Sequence, residues 1–93
     1  MPGPLDGIRI VDISIAITGP LAAGMLVDQG ADCVKVEEAP TGHVVRWLGN
    51  TVAGISAMFQ VANRGKRSIV LDLGQADGLA ILRDLVADAD VLV

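Results

Sequence analysis

Residues 8–37 read IRIVDISIAITGPLAAGMLVDQGADCVKVE, and the order of residue types in this stretch decides the fold. Ile8 to Ile13 is short and rich in β-branched residues, the pattern of a strand. Ser14 to Gly19 is a loop. Pro20 suits the first position of a helix, where its missing N–H has no partner to lose. Leu21, Met25 and Leu26 then recur at i, i+4 and i+5, one helical face. Gly30 closes the helix, because glycine takes the left-handed conformation without a Cβ clash. Asp32 to Glu37 is a second strand with Cys33 inside it. The unit is strand, helix, strand.

The alternation continues outward. Glu38 to Val52 reads mostly as loop, with a turn of helix near Val44 to Leu48. Gly54 to Asn63 is helical in pattern, since Ile55, Met58, Phe59 and Ala62 fall at i, i+3, i+4 and i+7. Arg64, Gly65, Lys66 and Arg67 end it with a basic turn, which favours a helix C-terminus. Ser68 to Leu73 is a third strand. Asp77 to Asp88 is a third helix, with Leu79, Leu82, Leu85 and Val86 as its buried stripe. Ala89 to Val93 begins a fourth strand. Strands alternating with helices predict an α/β fold, a parallel sheet with helices on its faces.

Composition agrees and excludes. Apolar residues make up 52% of the chain and are aliphatic, with Trp47 and Phe59 the only aromatics, which suits strands buried on both faces. Seven Lys and Arg against eleven Asp and Glu leave a net charge of −4, so neither a basic patch nor a set of stacking platforms is available for nucleic acid. The longest apolar run, Gly19 to Val27, is far short of the roughly 20 residues of a membrane span. MPGPLDGIR at the start has no secretory pattern, and one cysteine makes no internal disulfide, so a cytoplasmic setting is expected. The apolar surplus and the closing DVLV read as one part of a larger sheet. Residues 1–93 are therefore expected to be the N-terminal part of a domain, with Val91 to Val93 an exposed, unpaired strand.

In open α/β sheets ligands sit beyond the C-terminal ends of the strands, which brings Ser14 to Gly19, Glu37 to Pro40 and Asp72 to Gln75 to one rim. The G-x-G-x-x-G fingerprint is absent after the first strand, although Glu37 stands where a ribose-binding acid would. Cys33 reads as a buried, inert thiol. His43 is the only histidine, reads as solvated in its loop, and has no second ligand for a metal. Asp12 is placed to orient the loop after the first strand. Glu37 and Glu38 point to opposite sides of an extended segment and are not an acid/base pair. Arg64, Lys66 and Arg67 are open to two readings, a solvated helix end or a charged wall beside an anionic ligand. Beside Trp47, which packs, Arg46 either reaches an anion or stacks.

Four stretches resemble the N-terminal segment of the family III CoA-transferases, the group that includes formyl-CoA and carnitine CoA-transferases and the α-methylacyl-CoA racemases. They are PLDGIRIVDIS from Pro4, TGPLAAGMLVDQGADCVKVE from Thr18, NRGKRSIVLDL from Asn63 and ADADVLV from Ala87. The resemblance implies a Rossmann-like domain of an interlocked homodimer. Its substrates would be an acyl-CoA and a carboxylic acid, with no tightly bound cofactor. It places Ala16, Ile17, Thr18 and Gly19 by the thioester, Glu38 near the nucleotide end, and Leu71, Leu73 and Gly74 by the adenine. The family's nucleophilic aspartate matches no Asp here, so no catalytic residue is expected within these 93 and the segment alone should be inactive. Two departures stand out: Glu38, where many transferases carry Arg, and Gly74-Gln75-Ala76-Asp77-Gly78, where the family has K-T-P-E-G. The function implied is transfer of CoA from an acyl-CoA to a carboxylic acid. An α-methylacyl-CoA racemase and a non-catalytic CoA- or nucleotide-binding module are the alternatives.

Overall fold

The computed structural model describes residues 3–47, 49, 51–53 and 55–93. In chain order the elements are β1 (Arg9–Asp12), α1 (Thr18–Asp28), β2 (Asp32–Glu38), a 3-10 turn (Val44–Trp47), the short strands β3 (Thr51–Val52) and β4 (Ile55–Ser56), α2 (Ala57–Asn63), β5 (Arg67–Leu71), α3 (Ala76–Ala87) and β6 (Val91–Leu92). Four strands form one parallel sheet in the order β5-β2-β1-β6. The chain builds outward from β1 through β2 to β5, then crosses back to the free side of β1. That reversal of direction beside β1 opens a crevice at the C-terminal strand ends. The fold is a Rossmann-like parallel sheet with flanking helices.

Strand alternation sends the two faces of the sheet to different helices. Ile10 and Cys33 pack with Ala23 and Ala31, with Leu26 and Val27 of α1 against them. On the other face Val11, Val36 and Leu71 pack under the partly buried Leu82, Leu85 and Val86 of α3, three of the four residues of the stripe expected from its sequence. Gly30 takes φ +106° after the C-cap Gln29, so its stop role holds. α1 begins at Thr18 rather than at Pro20, because the carbonyl of Ile17 already accepts the N–H of Leu21 at 2.8 Å.

Three expectations change. The segment before α2 contains an antiparallel pair, β3 with β4, so Ile55 is a strand residue and the helix starts at Ala57. Ser56 caps that helix by accepting the N–H of Phe59 at 3.1 Å. The expected helix start at Gly54 and the end of the turn at Leu48 lie outside the described residues. The final segment is not unpaired. Val91 and Leu92 lie in register with Ile10 and Val11, and Val93 exchanges backbone hydrogen bonds with Val11 and Ile13 at 2.9 Å. The return of the chain through α3 brings it to the open side of β1.

Gly78 sits buried in the first turn of α3, where a Cβ would overlap the carbonyl oxygen of Asp72 at the end of β5. Gly78→Ala is expected to cost about 1–3 kcal/mol through forced displacement of α3, against the small gain in helix propensity. Urea unfolding of the two proteins measures it.

Candidate functional site

The C-terminal end of β1 is built around one carboxylate. Register places Asp12 beside Lys35 and Lys35 beside Ser68, one row across β1, β2 and β5. Asp12 and the side chains of Lys35 and Lys66 are at most 1% exposed. Oδ2 of Asp12 accepts from Lys66 Nζ at 2.7 Å, and Oδ1 accepts the Ser14 N–H at 2.8 Å and the Ser14 hydroxyl. Lys35 Nζ lies 3.5 Å from Oδ1 and donates to the Ser14 carbonyl. The expected role of Asp12 in orienting the next loop is thus present. Lys66 also donates to the Pro20 carbonyl at 2.7 Å and to Asn63 Oδ1 at 2.9 Å, joining β1, α1 and the end of α2.

Burial alone would raise the Asp12 carboxyl, but the bonds from Lys66 and Ser14 hold it below its ordinary value. Burial pushes Lys35 down, against the pull of Asp12 in the other direction. Burial also pushes the Cys33 thiol up to about 11, so it is a protonated core residue, as its sequence setting suggested.

A second buried carboxylate closes the neighbouring loop. Glu37 is 1% exposed and accepts from two nitrogens of Arg46, Nε at 2.6 Å and one terminal nitrogen at 2.8 Å. It also accepts the His43 N–H at 2.8 Å and the Ser68 hydroxyl. Gly42, at φ +85°, lets the chain bend over this carboxylate, where a Cβ would stand 3.0 Å from Oε1. Burial would raise Glu37, but Arg46, Ser68 and the His43 N–H bring it down to about 2. Glu38 points the other way and is exposed, as the extended segment predicted.

Several sequence expectations are corrected here. His43 is not solvated but buried, because its backbone is drawn in by Glu37 and its ring lies 6.3 Å from that of Phe59. Glu37, at the position of a ribose-binding acid but without the glycine fingerprint, has its oxygens taken by Arg46, Ser68 and the His43 N–H. Arg64, Lys66 and Arg67 form no charged wall. Arg64 pairs with Asp28, Arg67 pairs with Asp32 at 2.7 Å, and Lys66 is buried on Asp12. Arg46 does stack, 3.9 Å above the Phe59 ring centre, and its anion is Glu37. Trp47 remains exposed.

Above these carboxylates lies a cleft of about 310 Å³ at the C-terminal ends of β1, β2 and β5. Its apolar part is Ile13, Ile15, Val36, Leu71 and Leu73, and its polar part is Glu37, Glu38, His43 and Asp72. Of the residues singled out in the sequence, Glu38, Leu71, Leu73 and Gly74 line it together. Ala16, Ile17, Thr18 and Gly19 do not line it. Ala16, at φ +62°, and Ile17 form the turn that leads into α1, and Thr18 and Gly19 are the first residues of that helix. Ile13 and His43 are lining residues that sequence reasoning did not assign to a ligand, whereas Ile15 and Asp72 belong to the rim segments it named. Among the described residues no group of His, Cys, Asp and Glu could hold a metal ion, and no helix is long and apolar enough to cross a membrane.

The family description "CoA-transferase family III" matches residues 5–93. The chain belongs to CoA-transferase family III. Among curated members of this CoA-transferase family, succinate–glutarate CoA-transferase of Agrobacterium fabrum is 40% identical over 97 residues, covering 97% of this chain and 24% of the relative. Acetyl-CoA:oxalate CoA-transferase of Acetobacter aceti is 39% identical over 90 residues, covering 97% and 23%. A CAIB/BAIF family protein from Brucella suis superposes with a TM-score of 0.90 at 40% identity, over 99% of this chain and 25% of that one. Rv3272 from Mycobacterium tuberculosis gives 0.86 at 36%, over 98% and 26%. The chain spans about a quarter of the length of the relatives it matches.

Two outcomes follow from the buried carboxylates. Lys66→Met is expected to destabilise the fold by about 3–5 kcal/mol, because it removes one of the two cations on a buried Asp12 and strands the Asn63 and Pro20 acceptors. Denaturant unfolding reads this loss. Glu37 titrates below its ordinary value in the folded protein, so its contribution is full above about pH 5 and drains away as pH falls through the unfolded value towards the folded one. Glu37→Gln should flatten the acid limb of a stability–pH profile between about pH 5 and 2 while lowering stability at neutral pH.

Proposed function

We propose that this chain forms the CoA-binding part of a CoA-transferase that moves CoA from an acyl-CoA to a carboxylic acid. One observation carries the reading: a chain of this family has its open cleft at the C-terminal strand ends beside the β1 reversal, where α/β sheets take nucleotide-like ligands. The names of both curated relatives given above describe CoA transfer between carboxylic acids, in keeping with it.

In this reading the turn Ala16, Ile17, Thr18 and Gly19 runs beside the thioester. The strand ends around Leu71, Leu73 and Gly74 flank the adenine, and Glu38 stands at the nucleotide end. The nucleophile is a carboxylate from outside these 93 residues. The buried carboxylates here are spent, with Asp12 held by two lysines and Glu37 by Arg46, while Cys33 is a protonated core thiol. The attacking carboxylate adds to the thioester carbonyl, the C–S bond breaks, and the CoA thiolate leaves behind a mixed anhydride. The thiolate then attacks the enzyme's acyl carbon, releasing the first acid and leaving an enzyme-bound CoA thioester. A second acid repeats the two steps in reverse and departs as its CoA thioester. The cytoplasm and an interlocked homodimer belong to the same reading.

The test is incubation of the whole protein with succinyl-CoA and isotopically labelled glutarate. Label appearing in a CoA thioester is the expected result, and the 93 residues alone should give none. Inversion of an α-methyl centre without exchange would replace the reading with a racemase, and binding without turnover would reduce it to a binding module.

A further inference from the structure

Among the described residues the buried carboxylates Asp12 and Glu37 are met by three cations, Lys35, Lys66 and Arg46. Arg46 balances Glu37, and Lys66, at 2.7 Å, balances Asp12. Lys35 is the cation beyond neutrality. It is 1% exposed, so the described residues themselves enclose it. Its Nζ stands 3.5 Å from Asp12 Oδ1, longer than a good hydrogen bond. Burial disfavours its charge and pushes it below its ordinary value. An enclosed cation that one carboxylate does not need is a cost to the fold. What Lys35 holds is the backbone of the next turn, since its Nζ donates to the Ser14 carbonyl.

Ser14 stands between Ile13 and Ile15, both of which line the cleft. Its own hydroxyl turns onto Asp12. Its carbonyl belongs to the peptide bond that leads to Ile15, and Ala16 follows at φ +62°. A residue with a Cβ pays for the left-handed region, so its surroundings must hold it there. The turn is tied on both sides of Ala16. Before it, Ser14 is held by Asp12 and Lys35. After it, the Pro20 carbonyl accepts from Lys66 at 2.7 Å. Gly19 closes on the Ser14 side chain with no room for a Cβ. Asp12 and Lys66 neutralise each other as well as tying the turn. For Lys35 the hydrogen bond to the turn is the main bond it makes.

We propose that Lys35 is a positioning residue, which through the Ser14 carbonyl holds the left-handed turn at Ala16 in the conformation that the transfer reaction uses. The proposal rests on the CoA-transfer reading above, in which this turn runs beside the thioester. Lys35 itself touches no substrate. Without the tie, Ala16 relaxes to the ordinary backbone regions, and the competent turn becomes about tenfold rarer.

Lys35→Met in the whole protein tests it, because Met keeps much of the side-chain length and Lys66 still balances Asp12. The kcat for passing CoA from succinyl-CoA to labelled glutarate is expected to fall about tenfold, with binding of free CoA held within about twofold. Amide exchange at Ile15, Ala16 and Ile17 should quicken about tenfold, while exchange in α3 stays as it was. Adding Ala16→Gly to Lys35→Met should recover several-fold of the lost kcat, because glycine takes the left-handed region without the Cβ penalty. Leu26→Ala, in the core at the far end of α1, is the control for stability alone. It should lower the denaturation midpoint more than Lys35→Met does and leave kcat within about twofold. Unchanged kcat or unchanged turn exchange in Lys35→Met, failure of that variant to fold, or an equal loss of kcat in Leu26→Ala would overturn the proposal and leave the CoA-transfer reading intact. No CoA transfer by the unaltered protein would overturn both.

Discussion

The Asp12 carboxylate is the constraint on which the site depends. It sits at the last residue of β1, where the chain leaves the sheet, and it is wholly buried. A carboxylate cannot remain there without cations and donors. Lys66 arrives from the end of α2, Lys35 from β2, and the N–H and hydroxyl of Ser14 from the next turn of chain. Each partner belongs to a different element, so satisfying one charge fixes how β1, β2, α1 and α2 meet. Ser14 is held at three points, its N–H, its hydroxyl and its carbonyl, which sets the course of the turn through Ala16 to Gly19. The loop that runs beside the cleft is thereby tied to the core.

Glu37 does the same one strand further on. It gathers Arg46, Ser68 and the His43 backbone, pulls the segment after β2 over the sheet, and leaves Glu38, its neighbour in sequence, facing the cleft. The α1 and α2 face of the sheet therefore divides in two. Near the N-terminal strand ends it is an aliphatic core of Ile10, Ala23, Ala31 and Cys33. Near the C-terminal ends it is a buried network of paired charges. Among the described residues that network takes Lys35, Lys66 and Arg46, and no cation lines the cleft above it.

Local pattern carried much of this. The β-branched runs, the Gly30 stop, and the α3 stripe Leu79, Leu82, Leu85 and Val86 are signals that adjacent residues supply, and they place the parallel sheet and its C-terminal rim. The alternation of Glu37 and Glu38 across an extended segment was legible for the same reason. What was not legible depends on distant partners. In NRGKRS, Arg64 and Arg67 are exposed, as a solvated helix end has them, and pair with Asp28 and Asp32, but the burial of Lys66 on Asp12 shows only when the distant strand end is seen opposite it. His43 looks like a loop residue until Glu37 and Phe59 close around it. The β3–β4 pair is two residues per strand, too short for period-two alternation to appear. Rim residues such as Leu71 and Gly74 could be named from the family resemblance, but their meeting with Ile13 and His43 in one cleft is a property of the fold.

The central claim is that the cleft at the C-terminal strand ends takes the CoA thioester. Hydrogen–deuterium exchange of the whole protein with and without acetyl-CoA tests it most directly. The account predicts slowed exchange over the turn from Ile13 to Gly19 and over the β5 end from Leu71 to Gly74, with no change at Arg9, Asp32 and Arg67 on the opposite rim. Protection confined to that opposite rim, or none within this chain at saturating ligand, would contradict it.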